Sequence, residues 1–203
     1  MGVLLAGGDA RRFGGEPKGL ARIGRRRIAD RVLIALAEAS DSRLVVSNDT
    51  RATGWFPGHR IVRDLEPGLG PLAGLRTALA AAEGAAVLVV AWDMPFVPAA
   101  LLRALRRRGE AAHASDVPVY GDDDRAEPLC AYYHPEALAT VEALLTRGER
   151  RARALYEALT DRGVAVTMGE RGLERFGVPS RMFLSVDTPA VLETLGGTRP
   201  EPD

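Results

Sequence analysis

The chain has 203 residues, enough for one ordinary domain, and 46% of them are hydrophobic, which suffices for a full core. Its 27 basic and 27 acidic side chains balance, which argues against a nonspecific nucleic-acid binder. Cys130 is the single cysteine, so neither an internal disulfide nor a cysteine metal cluster can form; no apolar run has transmembrane length, and the chain is expected to be soluble and cytoplasmic.

Short apolar runs alternate with helical spacings along the chain. Residues 2–6 read as a buried strand. Ile28, Val32, Leu36 and Ala39 predict a helix over 28–39. Strands are expected at 43–47 and 60–63, and Leu72, Leu75 and Leu79 predict a helix over 70–82. The run Ala86–Ala91, rich in β-branched residues, has the character of a central strand buried on both faces. Helices follow at 98–108 and 135–146, each opened by a proline. Between them, residues 112–120, an acidic turn at 121–124 and residues 127–133 suggest a hairpin. Residues 150–160, 164–168, 181–186 and 188–195 read as helix, strand, strand and helix, and 196–203 as a flexible tail. This alternation predicts an α/β fold: a single three-layer α/β/α domain over residues 1–195, with a mostly parallel Rossmann-like sheet and a small antiparallel hairpin insertion. Ligands of such sheets sit beyond the carboxyl ends of the strands, which directs attention to residues 7–18, 48–49, 64–71, 93–96 and 185–188.

The densest of these segments is Leu5-Ala6-Gly7-Gly8-Asp9-Ala10-Arg11-Arg12-Phe13-Gly14-Gly15-Glu16-Pro17-Lys18. Its glycines let backbone amides approach phosphate oxygens, and Arg12 and Lys18 add positive charge. It is neither a Walker loop nor a dinucleotide fingerprint, because both spacings are absent. Twenty-six of the 27 basic residues are arginine, and the single lysine, Lys18, falls in this segment. A compact ammonium is not interchangeable with a guanidinium in a tight phosphate site. Asp93 follows the central strand, where it must be solvated, act as a helix cap or bind a metal. Asp64 opens the glycine-rich segment 64–75, which is otherwise an ordinary strand-to-helix turn. Asn48 is a nucleotide contact or a polar turn residue. Near the end of the chain, Asp187 is either a ligand or, with Thr188, a candidate cap for the last helix.

The first segment resembles the L-A-G-G-x-x-x-R-M-G-G-x-D-K signature of the molybdenum cofactor guanylyltransferase family, departing from it at Phe13 and Pro17. Asp64–Leu75 is similar to that family's D-x-x-P-G-x-G-P-L-A-G, Asp93-Met94-Pro95-Phe96 to its D-x-P-F, and Phe183–Pro189 to its F-x-N-x-N/D-T-P, with Ser185 replacing asparagine and Trp92 replacing a small residue. The resemblance implies transfer of GMP from GTP to the phosphate of molybdopterin or the molybdenum cofactor. It implies Leu5, Ala6, Gly7, Gly8, Asn48 and Asp64 around the nucleotide, Arg12 and Lys18 on its phosphates, and Mg²⁺ on Asp93. Gly15, Ser185 and Asp187 are expected on the acceptor side. It also implies transient contacts with cofactor-synthesis proteins or molybdoenzymes, and no membrane or nucleic-acid partner. Two other readings stay open: a cytidylyl- or sugar-phosphate nucleotidyltransferase of the same fold, and a nucleotide-binding assembly or regulatory protein without turnover.

Overall fold

The computed structural model describes residues 1–7, Phe13 and residues 15–200. In chain order its elements are β1 (Gly2–Leu5), a 3-10 turn at Lys18–Leu20, β2 (Arg22–Ile23), β3 (Arg26–Arg27), α1 (Ile28–Ala39), β4 (Arg43–Val46), α2 (Ala52–Trp55), β5 (Arg60–Val62), α3 (Pro71–Ala81), β6 (Val87–Ala91) and α4 (Ala99–Ala112). They continue with β7 (Ser115–Tyr120), β8 (Arg125–Ala126), β9 (Cys130–Tyr133), α5 (Ala137–Thr146), α6 (Ala152–Asp161), β10 (Ala165–Met168), α7 (Glu170–Leu173), α8 (Pro179–Met182), α9 (Pro189–Thr194) and β11 (Gly197–Thr198).

The main sheet runs β10-β7-β9-β6-β1-β4-β5, with β8 hydrogen-bonded to β7. β1 is parallel to both β4 and β6, β4 to β5, and β7 to β10. β9 is antiparallel to both of its neighbours, β6 and β7. Successive strand residues face opposite sides of the sheet. Leu4, Leu88 and Val90 therefore pack with α1 and α4 on one face, while Val3, Val87 and Val89 pack with α3, α5 and α6 on the other. The expected three-layer α/β/α architecture with a mostly parallel sheet is what is observed. A small second sheet, β11-β2-β3, lies beside a third cluster made by Phe13, Ile23, Ile28, Val186 and Leu192.

The parallel register fixes the site. Leu5 aligns with Val46 on one side and Ala91 on the other, so the segments leaving β1, β4 and β6 emerge together at one edge of the sheet. Reversal of β9 brings a different kind of segment to that edge. Cys130, its first residue, aligns with Val90, and Leu129 accepts a hydrogen bond from the amide of Ala91 at 2.8 Å. The turn before β9 thus joins the turns after β1, β4 and β6.

Three features differ from the sequence reading. Residues 181–186 are not a strand: Pro179 starts the short α8, and the segment beyond it runs irregularly, Phe183 joining the α1/α4 face and Val186 the third cluster. The suggested hairpin is present, β7 and β9 being antiparallel neighbours, but the two-residue β8 folds back on β7 between them and β9 also pairs along its other edge with β6. Gly197 and Thr198, read as part of a loose tail, pair with Ile23 and Arg22. Among the described residues, no helix is long and apolar enough to cross a membrane.

The turn before β9 is pinned from below. The hydroxyl of Tyr133, itself fully buried, donates to the carbonyl oxygen of Pro128 at 2.7 Å. Tyr133→Phe leaves that buried carbonyl without its partner and is expected to lower the unfolding free energy by about 1–2 kcal/mol, read as a lower urea midpoint with an unchanged m-value.

Candidate functional site

A cleft of about 1050 Å³ opens along this edge. Leu5, Ala6 and Gly7 line it from β1, Asn48 from β4, Asp64 from β5, and Asp93 from β6. Gly15, Lys18 and Ser185 reach it from elsewhere in the chain. Asp187 is half-buried and is not among the lining residues. Gly8 and Arg12 lie outside the described residues.

Asp93 is 7% exposed, a position where a carboxylate needs partners. Its Oδ2 receives two: the ammonium of Lys18, and the hydroxyl of Ser185 at 2.8 Å. Its backbone carbonyl accepts the amide of Val186 at 2.9 Å. The carboxylate therefore does not cap α4, whose N-cap, Pro98, has no side-chain capping bond. Thr188 caps the last helix instead, accepting the amide of Val191 at 3.3 Å. Lys18 sits at the start of a 3-10 turn closed by bonds from Leu20 to Pro17 and from Ala21 to Lys18.

On the opposite wall, Asn48 and Asp64 are linked. The amide of Asp64 donates to Asn48 Oδ1 at 2.9 Å, and the buried Thr77 hydroxyl donates to Asp64 Oδ1 at 2.9 Å. Leu65 in turn donates to Thr77 Oγ1 at 3.1 Å. Asn48 and Asp64 thus brace the glycine-rich loop from below. Gly70 ends that loop at φ +78°, a conformation open to glycine, and a β-carbon there would meet the carbonyl oxygen of Arg150 at 3.0 Å.

Sequence reasoning did not single out Glu127 as a site residue, although the segment Glu127–Tyr132 resembles the family's strand whose polar end faces the acceptor. This residue is 7% exposed and lines the cleft with Arg125, Pro128, Leu129 and Phe183. Backbone bonds from its amide to Pro118 and from Cys130 to its carbonyl hold it in place. Among the described residues its ion-pair partner is Arg125, with Nε 3.7 Å from Oε1, beyond hydrogen-bonding reach. Burial raises its carboxyl pKa to about 7; Arg125 opposes this and the negative charge of Asp93 adds to it. The signal was available in the reversal of β9, which turns a segment preceding a strand into an edge segment. A second, smaller hollow of about 410 Å³ lies between α1 and α4, bordered by the Arg103–Glu38 and Arg106–Asp41 ion pairs. None of the sequence-predicted site residues lines it.

The raised carboxyl of Glu127 has a consequence for folding. The folded chain keeps a proton that the unfolded chain loses between pH 4.5 and about 7. Stability therefore falls as pH rises through that window, by up to about 3 kcal/mol from this group. Glu127→Gln removes the effect. The melting temperature of the variant relative to the unsubstituted chain should climb from pH 4.5 to 7 and level off above pH 8, in scanning calorimetry without ligand.

Comparison with known proteins identifies the family. Residues 2–163 match the family model of the MobA-like NTP transferase domain. The probable molybdenum cofactor guanylyltransferase of Chloroflexus aggregans is 32% identical over 190 residues, covering 93% of this chain and 89% of that protein. The molybdenum cofactor guanylyltransferase of Shewanella frigidimarina is also 32% identical, covering 92% and 90%. Among solved structures, molybdopterin-guanine dinucleotide biosynthesis protein A of Archaeoglobus fulgidus superposes with a TM-score of 0.78 at 27% identity, covering 96% of each chain. A putative glucose-1-phosphate thymidylyltransferase of Bacillus anthracis shares the fold, with a TM-score of 0.74 at 14% identity. With Lys18 and Asp93 meeting at the mouth of the sheet and the match running through nearly the whole chain, the protein belongs to the MobA-like NTP transferase family, among the molybdenum cofactor guanylyltransferases, and is a nucleotidyltransferase.

Proposed function

We propose that this protein transfers GMP from GTP to the phosphate of molybdopterin or the molybdenum cofactor, releasing pyrophosphate. The observation that carries the reading is the meeting of Lys18 and Asp93 inside a cleft lined by the Leu5–Gly7 turn. The likeness to the thymidylyltransferase extends to the fold alone, so the sugar-phosphate alternative gains nothing from it.

The transfer needs positioning and charge neutralisation more than covalent help. The attacking group is a phosphate already ionised at neutral pH, so no side chain has to remove a proton from it. Backbone amides of the Leu5–Gly7 turn hold the nucleotide, with Asn48 and Asp64 on the same side. Lys18, and Arg12 from the same loop, neutralise phosphate oxygens. Asp93 supplies a hard oxygen ligand to a divalent cation. Among the described residues no cluster of three metal-binding side chains occurs. A single carboxylate in an open cleft suits Mg²⁺, which fills its shell largely with phosphate oxygens and water. Bound there, Mg²⁺ would offset the negative charge of the triphosphate. Gly15, Ser185 and Asp187 belong to the acceptor side in this reading, Ser185 through its bond to Asp93. The reaction takes place in the cytoplasm, with transient contacts to the proteins that supply the acceptor or receive the product, and residues 1–195 form the transferase domain.

With Mg²⁺ present, GTP should raise the melting temperature more than CTP, ATP or UTP, and a larger shift with CTP would overturn the base assignment. Asp93→Asn should retain the fold and lose about 10²–10³-fold in kcat, measured as pyrophosphate release. Lys18→Arg keeps the charge but replaces a point charge with a wide fork. A displacement on the order of 1 Å costs about a hundredfold in rate; turnover above half the unsubstituted value would show that any cation serves.

A further inference from the structure

We infer that Thr77, a buried hydroxyl on α3, is a positioning residue for the donor nucleotide: it fixes the Asp64 carboxylate so that one of its oxygens stands ready for a hydroxyl or N–H of the nucleoside. The inference rests on the transfer reaction proposed above and deepens its nucleotide side.

The hydroxyl of Thr77 is turned away from its own helix. Helical threonines commonly donate to the carbonyl four residues back. Thr146 and Thr160 do so, to Glu142 at 2.9 Å and to Tyr156 at 2.8 Å. Thr77 instead donates to Oδ1 of Asp64 at 2.9 Å and accepts the amide of Leu65 at 3.1 Å. It is 1% exposed, and Ala73 and Ala78 beside it on α3 are fully buried. A hydroxyl in such a place must be bonded. Here it is bonded, as donor and as acceptor, to the segment that leaves β5.

Asp64 is thereby held at both ends. Its amide donates to Asn48 Oδ1 at 2.9 Å. Its Oδ1 receives the Thr77 hydroxyl and, at 3.3 Å, the amide of Glu66. Among the described residues, Oδ2 receives no hydrogen bond. Because Asp64 lines the cleft, the carboxylate commits one oxygen to the protein and leaves the other to a ligand. An aspartate opening a glycine-rich loop would otherwise exchange rotamers, and binding would have to order it. Arg76, next to Thr77, reaches Glu66 at 3.2 Å; that contact steadies the loop without touching Asp64.

The order of the sheet decides which part of the nucleotide Asp64 serves. From β5 the order passes through β4 and β1 before it reaches β6, which puts Asp64 about 14 Å across the sheet from Asp93. A carboxylate oxygen repels phosphate and accepts from hydroxyl and N–H groups. Lys18 and Asp93 serve the reacting phosphates in the proposed reaction, so Asp64 meets the nucleoside. Releasing its carboxylate weakens the hold on GTP and leaves the charges around the reacting phosphorus in place.

The test uses the full chain with Mg²⁺. Titration calorimetry without acceptor gives the Kd for GTP, and pyrophosphate release with molybdopterin gives kcat. Thr77→Val keeps the shape and loses the hydroxyl; it should weaken GTP binding about tenfold and leave kcat at saturating GTP within about twofold. Thr77→Ser should restore the affinity. In an Asp64→Ala background, Thr77→Val should change the Kd no further, because the hydroxyl then has no carboxylate to place. Arg76→Gln, which frees Glu66 alone, should bind GTP as the unsubstituted chain does. An unchanged Kd in Thr77→Val overturns the inference. So does an equal loss in both backgrounds, an equal loss in Arg76→Gln, or a serine variant no better than valine, since each makes Thr77 a support for the loop and not for Asp64. If the valine variant shows no cooperative melting transition, Thr77→Ala takes its place in the cycle; if that variant does not fold either, the hydroxyl is structural and the inference is overturned. A chain that binds GTP but releases no pyrophosphate with molybdopterin overturns the transfer reading, while the binding cycle still decides the role of Thr77.

Discussion

The ion pair between Lys18 and Asp93 fastens together parts of the chain that lie far apart in sequence. Lys18 comes from the turn after the glycine-rich loop, Asp93 from the end of the central strand, and Ser185 from the irregular segment after α8; all converge on one carboxylate oxygen. The pair is largely withdrawn from water, with side chains 16% and 10% exposed. Removing either partner leaves the other charge in a place that solvates it less well than open water. Both groups also face the cleft, so an incoming phosphate and cation can divide the pair between them without leaving either charge alone.

Around that point the sheet sorts the cleft into two sides. Parallel strands deliver to this edge only the residues that follow them, and these are the glycine turn, Asn48, Asp64 and Asp93. The single reversed strand, β9, delivers the residues that precede it. Glu127, Pro128 and Leu129 come to the edge for that reason alone. An insertion that interrupts the parallel rhythm thereby supplies a wall of different chemistry, apolar with one carboxylate, opposite a wall of backbone amides and polar side chains.

The same topology explains what could be read from the sequence. The helix over 28–39 has the predicted bounds because Ile28, Val32, Leu36 and Ala39 recur on one face, and all are buried. The strand before Asp93 was plain because Val87–Ala91 is buried on both faces. Asp93, Lys18, Asn48 and Asp64 were found because they follow strands or lie in the glycine segment. Glu127 was legible only through the family resemblance of its segment, because looking after each strand presumes that every strand points the same way. Residues 181–186 misled for another reason. Phe183 and Val186 are apolar and buried, but they enter different clusters, and the backbone bond from Val186 goes to Asp93 rather than into a ladder. The two-residue strands β2, β3 and β11 are too short to show any period.

Trp92, where the family resemblance leads one to expect a small residue, is accommodated by a glycine elsewhere. A β-carbon on Gly19 would fall 2.3 Å from Cε3 of the indole, so the ring lies flat in space that any other residue at 19 would need. Trp55 backs the ring with centroids 6.4 Å apart, and the amide of Trp92 donates to the carbonyl of Leu5 at 3.1 Å. The backbone beside Lys18 therefore rests on a rigid aromatic surface that is itself fastened to β1. Truncating a buried tryptophan to alanine typically costs about 3–5 kcal/mol, and here the loss would also remove the support beneath the 3-10 turn. The reach of the Lys18 ammonium to Asp93 depends on that support, so the bulk at 92 and the absence of a side chain at 19 are two halves of one constraint on where the cation stands.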